Sequence, residues 1–170
     1  WNLKVVDMNV EPLTDADLAW ADYVFTSTMI VQKRSLYEVV RRCNHVNVPV
    51  IAGGPHPTSY QEEIKAEAGG VISHFLSGEV EHIFAGFLTD LVQGTAGEVY
   101  EGPRTATSVQ TDITVTPLPR YDLINLQYYG GMTVQFSRGC PFDCEFCDIT
   151  KLFGRVPRTK TNAQFLAEFD

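Results

Sequence analysis

Cys140, Cys144 and Cys147 fall within eight residues, spaced Cys-x3-Cys-x2-Cys. Thiolates are soft donors, and such runs hold zinc or iron–sulfur clusters. Most iron–sulfur clusters take four cysteines, and the only other cysteine, Cys43, lies far upstream. A four-iron cluster held by three thiolates keeps one iron open, and an open iron can bind a small molecule. Zinc is the alternative occupant, although zinc sites usually bring a fourth Cys or His close by and no histidine follows His82. A disulfide framework suits short, cysteine-dense chains rather than one with 4 cysteines in 170 residues.

The residues around the trio extend the pattern. Phe136-Ser137-Arg138-Gly139-Cys140-Pro141, followed by Cys144, Phe146 and Cys147, resembles the signature of the radical S-adenosylmethionine (radical SAM) enzymes. The resemblance implies that the three cysteines hold a [4Fe–4S] cluster and that the open iron chelates S-adenosylmethionine. It implies that reduction cleaves that molecule to a deoxyadenosyl radical. It also implies that Phe146 packs near the adenine, and that a reductant such as flavodoxin or ferredoxin supplies electrons.

Composition bounds the rest. Hydrophobic residues make up 44% of the chain, enough for a packed core, and the net charge of −8 argues against a nucleic-acid surface. No apolar run reaches membrane-spanning length, and no basic, apolar signal segment opens the chain. An exposed cluster needs a reducing compartment, so the expected location is cytoplasmic. Residues 1–7 read as a strand and the last residues as a helix cut short, so the chain is expected to be a fragment of a longer protein.

Thr14 should cap a short helix from Asp15 to Trp20. Tyr23 to Thr26 reads as a buried strand. Leu36, Val39, Val40 and Cys43 recur at i, i+3, i+4 and i+7, one face of an amphipathic helix, on which Cys43 is a small buried apolar residue. Val48 to Ala52 is a strand that runs into Gly53-Gly54-Pro55-His56-Pro57-Thr58. A helix with Tyr60, Ile64 and Ala68 on one side stops at Gly69-Gly70. A strand around His74 to Leu76 ends at Gly78-Glu79. A final helix is expected to bury Ile83, Phe84, Phe87, Leu88, Leu91 and Val92 and to stop at Gly94. Alternating strands and helices imply a doubly wound α/β domain with a parallel sheet.

Ligands of such sheets bind outside the carboxyl ends of the strands. The turns at Thr26 to Thr28, Gly53 to Thr58 and Gly78-Glu79 fall there. Gly53-Gly54-Pro55-His56-Pro57-Thr58, with Gly78-Glu79-Val80-Glu81, resembles the cobalamin-binding domain that precedes many radical SAM cores. The resemblance implies a Rossmann- or flavodoxin-like domain lacking its first strand. It casts Ser27, Thr28, Gly53, Gly54, His56, Gly78 and Glu79 as contacts of cobalamin. His56, between two prolines, reads as a turn residue bonding the backbone or the nucleotide tail rather than as a metal ligand.

Three parts are expected: residues 1–94 as the cobalamin-binding-like domain, 95–131 as a linker, and 132–170 as the first β/α unit of a radical SAM barrel. Met132 to Ser137 would be its strand, and a helix capped by Thr161 or Asn162 would run through Phe165, Leu166 and Phe169. Arg155, Arg158 and Lys160 form a basic run that reads as solvated surface, with an anionic ligand as the alternative. The resemblance points to a cobalamin-dependent methyltransferase acting at an unactivated carbon. The run after Cys147 is similar to a subgroup that includes hopanoid-lipid methylases. The expected substrate is a small molecule or lipid, with peripheral membrane contact and no nucleic acid. Two rivals are a radical SAM enzyme of another outcome, such as ring formation or methylthio transfer, and a cobalamin-binding module inactive as a fragment.

Overall fold

The computed structural model describes residues 1–103 and 111–169. Part of the expected linker, residues 104–110, therefore lies outside the described residues. Four parallel strands form one sheet in sequence order: β1 (Val24–Ser27), β2 (Val50–Gly53), β3 (His74–Ser77) and β4 (Val99–Glu101). Between them run α2 (Lys33–His45), α3 (Pro55–Glu67) and α4 (Phe84–Gln93), and α1 (Asp15–Trp20) precedes β1.

The hydrophobic pattern explains why this architecture closes. Val50 and Ala52 of β2 point into one core, with Leu36, Val39, Val40 and Cys43 of α2 and Ile64 of α3. Ile51 and Leu76 point into a second core, with Phe87 and Leu91 of α4. Alternate residues of the inner strands thus feed opposite faces, as the pleat requires, and helices cover both, as the alternating pattern predicts. Each fully buried Val, Leu, Ile or Phe side chain among them contributes about 1.5–3 kcal/mol. Cys43 is a core residue, fully buried, with burial pushing its thiol pKa up.

The helix ends also follow the sequence. Thr14 and Asp17 exchange side-chain-to-backbone bonds at the start of α1, a capping box worth about 1 kcal/mol. Gly94 closes α4 at φ 70°, a conformation in which glycine carries no Cβ penalty.

Several expectations are corrected. Residues 1–7 form no strand, and Trp1, Leu3 and Val5 are exposed. The reason lies at the edge of the sheet. Val24 and Thr28 donate their amides across to Pro49 and Gly53, so the alternate amides of Phe25 and Ser27 face away from β2. A cavity of about 1340 Å³, lined by Leu3, Val5, Val6, Leu18 and Phe25, lies between that edge and residues 1–7, so they do not reach the outward-facing amides of β1. For the same reason β1 is an edge strand rather than a buried one, with Phe25 44% exposed.

On α3 the regular geometry breaks at Tyr60 (φ −132°, ψ 35°), so Tyr60 leaves the face that Ile64 and Ala68 bury. On α4, Phe84 and Val92 are exposed, while Phe87 and Leu91 face the second core and Leu88 is partly buried. Strand β4 comes from the stretch read as linker, and Tyr100 packs edge-on against Phe87.

The last forty residues differ most. Of the six residues Met132 to Ser137 read as a strand, only Ser137 falls in one, β5 (Ser137–Arg138), which pairs antiparallel with β6 (Arg158–Thr159). Two short helices follow the chain order, α5 (Ile149–Phe153) between those strands and α6 (Asn162–Leu166) after them. Thr161 caps α6 by accepting from the Gln164 amide, but Phe169 lies beyond its end.

Candidate cysteine centre and sheet-edge site

The ribbon β5–β6 delivers the chain to the cysteine loop. Gly139 follows at φ 88°, and a Cβ there would lie 2.4 Å from the Val156 carbonyl oxygen. Only glycine lets the two backbones approach this closely. Next to it the Cys140 amide donates to the Gly154 carbonyl at 3.1 Å. The Cys147 amide donates back to the Cys144 carbonyl at 3.0 Å, closing a turn between the last two cysteines. Asp143 pairs with Arg155 at 2.7 Å on the loop's outer side.

All three thiols are free. Cys140 and Cys147 are half-buried and Cys144 is exposed. Phe146 is 93% exposed, its ring open to a flat ligand. Among the described residues, no three His, Cys, Asp or Glu side chains are already gathered as a metal group. The donor set nevertheless fits a thiolate-bound cluster by type: three soft, unpaired donors on one loop and no fourth nearby. Zinc would need another ligand from elsewhere.

A second group of residues collects at the carboxyl ends of β1, β2 and β3. The Thr28 amide donates to the Gly53 carbonyl at 3.2 Å, and the His56 amide to the Thr28 carbonyl at 2.9 Å. The Gly78 amide donates to the Thr58 hydroxyl at 3.0 Å. Gly54 and Gly78 are both at positive φ. A Cβ on Gly54 would meet the Thr28 amide at 2.7 Å, and one on Gly78 the carbonyls of Gly102 and Pro103 at 2.8 Å. These two glycines therefore let neighbouring turns stack on each other. Gly53 sits in ordinary contact with β1 and β3, and Ser27 is exposed.

Four polar atoms on this edge are buried without a partner: the Thr28 hydroxyl, both ring nitrogens of His56, and the Ser77 hydroxyl. Buried polar atoms are nearly always hydrogen-bonded. Four orphans on adjacent turns suit a polar ligand held at the strand ends. Ser77 carried no sequence signal beyond ending an apolar strand.

His56 is 1% exposed and packs against the Tyr60 ring at 5.8 Å. Burial pushes its pKa below the ordinary 6.5, so the folded protein holds it neutral. The unfolded chain takes up a proton below about pH 6.5 and the folded one resists. His56 therefore supports the fold fully above that pH, and the support is lost as pH falls through the depressed folded value. The denaturation midpoint of the full-length protein should drop between pH 7 and 5, and more steeply than in His56→Gln. Equal slopes would show that the imidazole is not held neutral.

Glu79 is engaged by two arginines through its carboxylate. Its side chain is 3% exposed and accepts from Arg158 at 2.7 and 3.0 Å and from Arg138 at 3.1 Å. Lys160 is buried and pairs with buried Glu168, and Arg158 is largely covered, which corrects the reading of the basic run as solvated surface. Arg155 alone of the three stays half exposed.

Comparison with known proteins bears on what this arrangement serves. No protein-family model matches the chain. An uncharacterized methyltransferase of Synechocystis, sll1242, is 43% identical over 170 residues, covering 100% of this chain and 30% of that protein. The hopanoid C-2 methylase of Rhodopseudomonas palustris is 33% identical over 174 residues, covering 100% of this chain and 31% of that protein. The chain is a homologue of these methyltransferases. It spans about 30% of the length of the curated relatives it matches. Among solved structures, the N-terminal domain of the hypothetical protein TM0182 of Thermotoga maritima aligns with a TM-score of 0.43 and 22% identity, covering 58% of this chain and 78% of that one. Among the described residues of this methyltransferase homologue, no helix is long and apolar enough to cross a membrane.

Proposed function

We propose that the protein containing this chain is a cobalamin-dependent radical SAM methyltransferase that methylates an unactivated carbon. The observation that carries the reading is the loop of three free cysteines, Cys140, Cys144 and Cys147, in a chain homologous to methyltransferases. The match to the hopanoid C-2 methylase favours a polycyclic lipid as substrate class.

The three cysteines would hold a [4Fe–4S] cluster, with S-adenosylmethionine on the open iron and Phe146 against its adenine. When bound, the cluster supplies the electron that cleaves S-adenosylmethionine, and cobalamin supplies the methyl group. Gly139 and the Cys140–Gly154 backbone bond fix where the first thiolate stands. Thr28, His56 and Ser77 would satisfy their orphaned polar atoms on the cobalamin tail. Keeping His56 neutral lets one ring nitrogen accept and the other donate. Ser27, Gly53, Gly54 and Gly78 shape the turns that line that edge. A flavodoxin or ferredoxin would bring the electron, and the cytoplasm would keep the thiols reduced.

Anaerobic reconstitution of the full-length protein tests the reading. About four irons per chain and a spectrum that changes on adding S-adenosylmethionine are expected, with hydroxocobalamin retained through gel filtration. Tightly held zinc, or an iron spectrum indifferent to S-adenosylmethionine, would refute it.

A further inference from the structure

Glu79 joins two parts of the molecule that the sequence keeps far apart. It follows Gly78, whose positive φ turns the chain sharply at the end of β3. The turn is held by the Glu79 amide donating to Pro103 at 3.2 Å and by the Gly102 amide donating to Ser77 at 2.8 Å. The carboxylate therefore stands on a fixed base at the carboxyl edge of the sheet.

The two guanidinium groups that meet it belong to facing residues of one ribbon: Arg138 of β5 is the register partner of Arg158 of β6. Arg158 adds bonds to the Thr111 carbonyl at 2.7 Å and the Phe153 carbonyl at 2.9 Å. Arg138 also pairs with Glu81 at 2.5 Å and lies over the Phe153 ring at 5.9 Å. Two carboxylates thus face two guanidiniums, all four side chains at most 16% exposed. Arg138 stands two residues before Cys140, and Phe153 adjoins Gly154, whose carbonyl takes the Cys140 amide.

We infer that Glu79 is a positioning residue: by gripping Arg138 and Arg158 it fixes the cysteine loop against the carboxyl edge of the sheet. This takes the loop as the functional centre, as proposed above. Solvent-exposed ion pairs swing freely and position little, whereas here one Arg158 nitrogen spans both oxygens of the buried Glu79 carboxylate while the other is held by the Phe153 carbonyl, and such charge-assisted bonds fix a direction. The sheet edge and the cysteine loop then move as one body, so a ligand on the first keeps a set distance from a ligand on the second.

Hydrogen exchange of the full-length protein without metal, wild type against Glu79→Gln, tests the grip itself. Peptides spanning residues 135–160 should exchange about tenfold faster in the variant, while those of β2 and α3 stay unchanged. After anaerobic reconstitution the variant should keep wild-type iron content but, once reduced by one electron with dithionite, show a broadened electron paramagnetic resonance spectrum with S-adenosylmethionine. Unchanged exchange in residues 135–160 overturns the inference, and so does equal acceleration through β2 and α3, which marks a role in stability alone. A wild type that takes up no iron defeats the proposed function, yet the exchange experiment still decides the grip. If Glu79→Gln does not fold, the pair Arg158→Gln and Glu79→Gln with Arg158→Gln replaces it, the latter leaving no lone buried charge at that contact. Faster exchange over residues 135–160 in Arg158→Gln than in wild type, with no further acceleration in the double variant, supports the grip; no acceleration in Arg158→Gln, or a further acceleration in the double variant, overturns it.

Discussion

Replacing any one of Cys140, Cys144 or Cys147 with alanine should bring bound iron from about four per chain to below about one, and methyl transfer with it. The expectation rests on the donor set. These are the three cysteines of one loop, while Cys43 sits fully buried in the core with its thiol pKa raised by desolvation, where it cannot substitute. With two thiolates left, two corners of a four-iron cube stand open, and the cluster exchanges with solvent or thiols. The Cys43→Ala variant is the matched control and should keep full iron content, losing only packing. Iron and sulfide analysis after anaerobic reconstitution reads both. Iron retained by the Cys144→Ala variant would remove that residue from the site.

The second large effect belongs to Gly139→Ala. A Cβ there would lie 2.4 Å from the Val156 oxygen, far inside contact distance, and the backbone at φ 88° disfavours any side chain. The left-handed conformation alone costs roughly 1–2 kcal/mol in a residue other than glycine, and the steric overlap adds to it. A penalty near 2 kcal/mol shifts a local equilibrium by about thirtyfold, toward loops whose Cys140 amide no longer reaches Gly154. The outcome is a protein that is folded elsewhere but takes up iron poorly. Gly86→Ala is the contrast, because nothing lies within 4 Å of a Cβ at that helical site. It should be neutral or stabilising by about 1 kcal/mol. Normal iron content in Gly139→Ala would show that the loop can be rebuilt without that turn.

The sequence alone determined the local elements and singled out the cysteine loop. Cysteine spacing picks out one loop because ligand spacing is a property of the chain. The periods of 3.6 and 2 place Val39, Val40 and Cys43 on one face of α2, and the Thr14 and Gly94 caps mark ends, because each of these effects acts within a few residues. Only the tertiary structure decided what depends on partners distant in the chain. Residues 1–7 have a strand's composition but stand across a cavity from the free edge of β1. Val99–Glu101 becomes a strand because β3 offers a free edge. Arg158 and Lys160, charged residues in a basic run, are drawn inside by carboxylates at Glu79 and Glu168. Ion pairing across 79 residues is invisible to any local pattern, since it is set by which surfaces the packed sheet brings together.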